Sequence, residues 1–71
     1  MNIDIRKSIK NNFINSSKQE IIESIELSIK DKDEITLPGL GVFFEIIWEE
    51  SNEKLKNEII NLIINNLKNQ G

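Results

Sequence analysis

Isoleucine, leucine and phenylalanine return every third or fourth position along most of this 71-residue chain, the spacing that lines one face of an α-helix. Ile5, Ile9 and Phe13 set out a first helix over roughly residues 3–14, with Asn2 or Asp4 placed to accept from free N–H groups at its start. Asn11, Asn12, Asn15, Ser16 and Ser17 then weaken the helical pattern. Ser17 and Glu20 have the spacing of a capping box, in which hydroxyl and carboxylate each satisfy the other residue's backbone donor. A second helix follows to about residue 31, with Ile22, Ile25 and Ile29 on its apolar face, Ile21 alongside, and Glu23, Glu26 and Lys30 lying away from them. Asp31, Lys32, Asp33 and Glu34 form a polar connection.

Residues 37–48 hold the only Pro, the only Trp, two of the three Phe and two of the three Gly. The β-branched and aromatic content after Pro38 suits a strand. The spacing favours a helix, because Leu40, Phe43, Phe44, Ile47 and Trp48 fall at i, i+3, i+4, i+7 and i+8, and Glu45 and Glu49 share the other side. Val42 and Ile46 widen the apolar arc to roughly 240°, which only a helix buried between others can use. Pro38 then sits in the first turn, where its missing N–H is not needed, and Gly39 and Gly41 allow the backbone a close approach to its neighbours. On this reading Phe43, Phe44, Ile47 and Trp48 fill the core.

Ser51 and Asn52 offer a turn and a new N-cap, with Glu53 in the first turn of a last helix over about residues 52–69. Leu55, Ile59, Leu62, Ile63 and Leu67 form its stripe, and Ile60 and Ile64 extend the arc to roughly 200°, wider than the ~100° a surface helix needs. Either the rest of the domain wraps this helix, or a second chain covers Ile60 and Ile64 as a homodimer. The expected architecture is therefore all-α, one small domain of about four short helices over residues 1–71. The alternative is α+β, two helices followed by a strand after Pro38.

Composition narrows the chemistry. The chain has no Cys and no His, which excludes disulfides, thiol nucleophiles, imidazole bases and the usual zinc ligands. No apolar run approaches the roughly 20 residues that span a bilayer, and the N-terminus lacks a signal-peptide pattern, so the chain reads as soluble and intracellular. The absence of Ala and the abundance of Ile, Asn and Lys look like coding bias, which argues against reading function into the Asn residues. Acidic residues crowd the middle: Asp31, Asp33, Glu34, Glu45, Glu49, Glu50 and Glu53 stand there against Lys32 alone. Such a centre repels phosphate backbones, so nucleic-acid binding would be confined to Arg6, Lys7 and Lys10 of the first helix.

The candidate sites are thin. Glu45, Glu49 and Glu50 lie on one side of the third helix, where carboxylates one turn apart mostly face water rather than converge on a cation. Residues 31–34 lack the acidic positions, the Gly and the closing Glu of a calcium loop. Gly39-Leu40-Gly41 lacks the third Gly and the following Lys-Ser or Lys-Thr of a phosphate loop. Arg6, Lys7 and Lys10 carry no interleaved aromatics and read first as solubilising charge. No catalytic constellation, cofactor site, metal site or small-molecule substrate is expected.

The stretch from Asp33 to Trp48, with Leu37-Pro38-Gly39-Leu40-Gly41-Val42 followed by Phe44-Glu45-Ile46-Ile47-Trp48, resembles the minor small acid-soluble spore proteins of type I from endospore-forming bacteria. The short opening Asn2-Ile3-Asp4-Ile5-Arg6 and the charged turn and final helix after Trp48 are similar too, so the resemblance covers nearly the whole chain. It implies a non-enzymatic protein made in the forespore and kept in the spore core, with a structural or interaction role in sporulation. It carries over no reaction, cofactor or binding residue. The abundant α/β-type proteins of that name coat DNA, but their glycine-containing DNA-binding segments and protease cleavage motif have no match here. A second likeness runs from Ser17 through Gly39-Leu40-Gly41-Val42-Phe43, which is similar to the two-helix-then-strand half of HU/IHF DNA-binding proteins. Those proteins continue into a basic arm, where this chain places Glu49, Glu50 and Glu53.

Overall fold

The computed structural model describes residues 4–69, which form four α-helices and one 3-10 turn and, among the described residues, no strand. Helix α1 spans Ile5–Phe13. Its cap is Asp4, whose carboxylate accepts from the Lys7 backbone N–H at 3.0 Å; the other candidate, Asn2, lies outside the described residues, as does residue 3 of the expected helix. Helix α2 spans Lys18–Asp31 and opens with the expected capping box. The Glu20 N–H donates to the Ser17 hydroxyl at 3.2 Å, and the Ser17 N–H donates to the Glu20 carboxylate at 3.0 Å. The Ser17 backbone N–H first, and the Ser17 hydroxyl after it, hold the Glu20 carboxyl below its usual range.

Where the sequence shows only a polar connection, the chain forms a defined corner. Lys32 takes a left-handed conformation at φ 52° to end α2. The Asp33 carboxylate then accepts from the Ile35 N–H at 3.0 Å and starts the 3-10 turn Glu34–Thr36. The Thr36 hydroxyl donates to the Asp33 carbonyl at 2.7 Å and reaches the Ser28 carbonyl at 3.4 Å, tying the end of α2 to the start of the next helix.

Helix α3 spans Leu37–Glu50, with Pro38 in its first turn as expected. The strand of the α+β alternative does not form, because the residues after Pro38 are helical throughout. The role expected of Gly39 and Gly41 is corrected as well. Neither has positive φ, and a Cβ added to either would meet no atom within 4 Å. Both are ordinary helical positions beside open space. Helix α4 spans Glu53–Lys68, its start capped by the Asn52 side chain, which accepts from the Leu55 N–H at 2.9 Å.

Packing centres on α3, against which α1, α2 and the 3-10 turn all lie. Val42, a residue the spacing puts at the margin of the apolar arc, is the buried hydrophobic one among the described residues, 4% exposed. Beside it the Phe13 ring meets Phe43 edge-on, centroids 5.0 Å apart at 69°. The expected core is therefore displaced: Phe43 and Trp48 are half-buried, while Phe44 and Ile47 are exposed at 41% and 49%. The cause is arrangement rather than composition. Helices α1 and α2 cover the Val42–Phe43 side of α3, and α4 forms no extended packing with any of the other three to close the opposite side. The radius of gyration is accordingly 14.0 Å, against about 11 Å for a compact chain of this length.

Candidate functional site

Two amphipathic helices built from unrelated signals meet where α1 crosses α3, and their polar edges bring a cation onto an anion. The Arg6 Nε donates to both carboxylate oxygens of Glu45, at 2.8 and 3.1 Å. The hydrogen bond raises the guanidinium pKa and lowers that of the Glu45 carboxyl; attraction between the charges acts the same way, and Lys10 adds to the second effect. Both groups are thus held in their charged forms. Of the three cations expected on α1, Arg6 is committed to this pair and Lys7 contributes its backbone N–H to the Asp4 cap. Lys10 borders an open crevice with Phe44, Trp48 and Glu49.

Glu45, the first member of the expected solvated face, remains open to solvent and in addition pairs with Arg6. Sequence reasoning missed the pair because a contact across 39 positions has no local signature. The one signal available was the contrast between a slightly basic first helix and an acidic middle. Among the described residues no three carboxylates gather at distances suited to a metal ion.

The aromatic part of the molecule lies toward the end of α3. The Phe44 and Trp48 rings stack with centroids 6.0 Å apart at 24°. The Lys56 ammonium of α4 sits 5.4 Å from the indole centroid, a cation–π contact spacing could not foresee. On the other side of α3, between α1 and α2, an open apolar groove of about 370 Å³ is lined by Phe13, Ile21, Ile25, Val42 and Ile46 among others. Ile60 and Ile64, the candidates for self-association, stand on α4 at 38% and 41% exposure. No described helix is long and apolar enough to cross a membrane.

These features define a small all-α protein with an ion pair at its surface and its apolar side chains largely in contact with solvent. The family profile of small, acid-soluble spore protein I matches residues 3–67. A protein of that name from Halalkalibacterium halodurans is 37% identical over 68 residues, covering 96% of this chain and all of the relative. Its counterpart in Bacillus subtilis is 32% identical over 68 residues, 96% of each chain. That of Geobacillus kaustophilus is 38% identical over 60 residues, 84% of this chain and 87% of the relative. The chain belongs to the small, acid-soluble spore protein I family. No solved structure matches it.

Proposed function

We propose that this chain is a non-enzymatic component of the spore core that acts by association, in a structural role during sporulation. Membership of a spore-protein family over residues 3–67 supports the location. The ion pair at the helix crossing favours a non-catalytic role for its two groups. A general acid or base needs a pKa moved toward the working pH, whereas the pair at the helix crossing moves the other way, Glu45 down and Arg6 up. Neither group is poised to give or take a proton near neutrality. The exposed apolar side chains of α3 and α4 are the feature available for a role instead.

Fractionation of purified dormant spores tests the reading. The chain should resist extraction from intact spores and be released by dilute acid once they are broken. Release by washing intact spores would place it on the outside and overturn the proposal. A gel-shift series in low and physiological salt tests nucleic-acid binding in parallel. Tight binding lost on charge reversal of Arg6, Lys7 and Lys10 would replace the structural reading with an HU-like one.

A further inference from the structure

We propose that residues 59–67 of α4 are a self-assembly segment: they leave the helix, extend, and stack antiparallel on the same segment of further copies as a cross-β sheet. The inference concerns how copies of the chain associate and is independent of where the chain resides. Its first support is composition. From Ile59 to Leu67 the chain carries no charge, no Pro and no Gly, the pattern of segments that form cross-β stacks. Seven of these nine residues are Ile or Asn; both rank below Leu in helix preference, and Ile is at home in strands. The one longer uncharged run, residues 35–44, contains Pro38, Gly39 and Gly41 and belongs to the packed cluster around α3.

The second support is how little holds these residues helical. Helix α4 has no extended packing against the rest of the chain, and a helix of 16 residues without such support is marginal in water. Its caps, Asn52 and Asn69, lie outside the segment. Within it the Asn66 amide donates to the Leu62 carbonyl at 2.8 Å, in competition with the backbone bond to that carbonyl. Leu62 is 65% exposed on one side of the helix, and Ile60 and Ile64 are 38% and 41% exposed on the other, so no single helix face gathers the apolar residues. Extension does gather them. Alternate residues of a strand share a face, which joins Ile60, Leu62 and Ile64 in one apolar ridge.

Register identifies the occupant as a second copy. The segment is bounded by Glu58 and Lys68. Two antiparallel copies centred on Ile63 set Glu58 opposite Lys68 at both ends, Ile59 opposite Leu67, Asn61 opposite Asn65 and Leu62 opposite Ile64. Ile60 opposite Asn66 is the single unlike pair. Opposite charges, matching amides and apolar side chains thus meet in one register, and every added copy meets the same match. A parallel stack would set Glu58 on Glu58 and Lys68 on Lys68.

The test incubates the purified full chain at about 1 mM, the top of the range in which exposed apolar segments drive aggregation. Helical circular dichroism should give way to strand, thioflavin T fluorescence should rise, and the sedimented material should diffract at about 4.7 Å. A chain that stays helical and in solution, or that aggregates without that reflection, overturns the proposal. Leu62→Lys changes an exposed side chain, so it should fold to the same helical spectrum and then fail to assemble. Leu27→Lys makes the same charge change at an exposed position of α2 and should assemble as wild type; assembly lost in both variants, or in neither, overturns the proposal. Lys68→Glu should lengthen the lag by setting two carboxylates together, and adding Glu58→Lys should restore the wild-type lag. Equal lags in all three chains would refute the antiparallel register.

Discussion

Helices α3 and α4 are close in length, 14 and 16 residues, and both carry apolar arcs too wide for an ordinary surface helix, yet they are stabilised in different ways. Helix α3 starts without a side-chain cap and contains Pro38, Gly39 and Gly41 in its first turns. Its local preference is poor, and it is held by α1, α2 and the 3-10 turn around Val42. Helix α4 has the opposite character. It has an Asn52 cap, Glu53 in the first turn and Lys68 in the last, with no extended packing inside the chain. An isolated helix of about 15 residues is marginal in water even when well capped. The comparison shows that hydrophobic pattern alone does not say which helix is buried: connection geometry decides that, and the two residues between α3 and α4 set α4 apart from the cluster.

The largest effect expected comes from breaking the cluster at its centre. Val42→Asp places a carboxylate at a position that is 4% exposed, where it loses most of its hydration. We expect a loss of about 4 kcal/mol and collapse of the α1–α3 transition in urea. Amide exchange should show α4 protected to the same degree before and after the change. Equal loss of protection in both regions would mean that they fold as one unit and would abolish the contrast.

The contact between the regions is worth less. Trp48→Ala removes the stack on Phe44 and the seat of the Lys56 ammonium. The expected cost is about 2 kcal/mol in urea unfolding, below the 3–5 kcal/mol of a fully buried indole, because Trp48 is only half-buried. A cost at the higher figure would show that α4 or a second chain covers the ring in solution.

The two glycines of α3 test its weak local preference from the other direction. A Cβ at Gly39 or Gly41 meets nothing within 4 Å, and neither backbone is left-handed. Each Gly→Ala substitution should therefore raise the stability of the cluster by roughly 0.5–1 kcal/mol. Destabilisation at Gly41 would mean that α1 approaches more closely than its crevice with Ile5 and Arg6 allows.

The sequence disclosed what is local and concealed what is assembled. The capping box at Ser17, the Asn52 cap, Pro38 in a first turn and the four helices follow from short-range chemistry, and each appears where the spacing puts it. Val42 as the centre was not legible, since an arc of roughly 240° offers several faces and only the approach of α1 and α2 selects one. The corner at residues 32–36 was missed for a related reason: its bonds depend on Lys32 turning left-handed so that Thr36 can reach back to Ser28. Arg6 and Glu45 each looked like solvated charge, and only the crossing of two helices makes them a pair.

The smallest effect expected is also the most selective, because it acts at the crossing and nowhere on α4. Glu45 has its pKa lowered from an ordinary 4.5 by the Arg6 hydrogen bond, so its folded form binds the proton less readily than its unfolded form. The sign follows: the contribution is fully present above pH 4.5 and is lost as pH falls through the lower folded value. Glu20 shifts in the same direction through the α2 cap, so acid destabilises the wild-type chain at two places. Glu45→Gln removes only one of them. The difference in melting temperature between wild type and Glu45→Gln should be small and positive near neutrality, where an exposed ion pair contributes little, and should shrink toward zero in acid while the Glu20 component persists in both. High salt should narrow the neutral difference, since both partners are open to solvent. A difference that grew as the pH fell would show that the carboxyl form of Glu45 is the one the fold prefers, and the pair would then not be what joins α1 to α3.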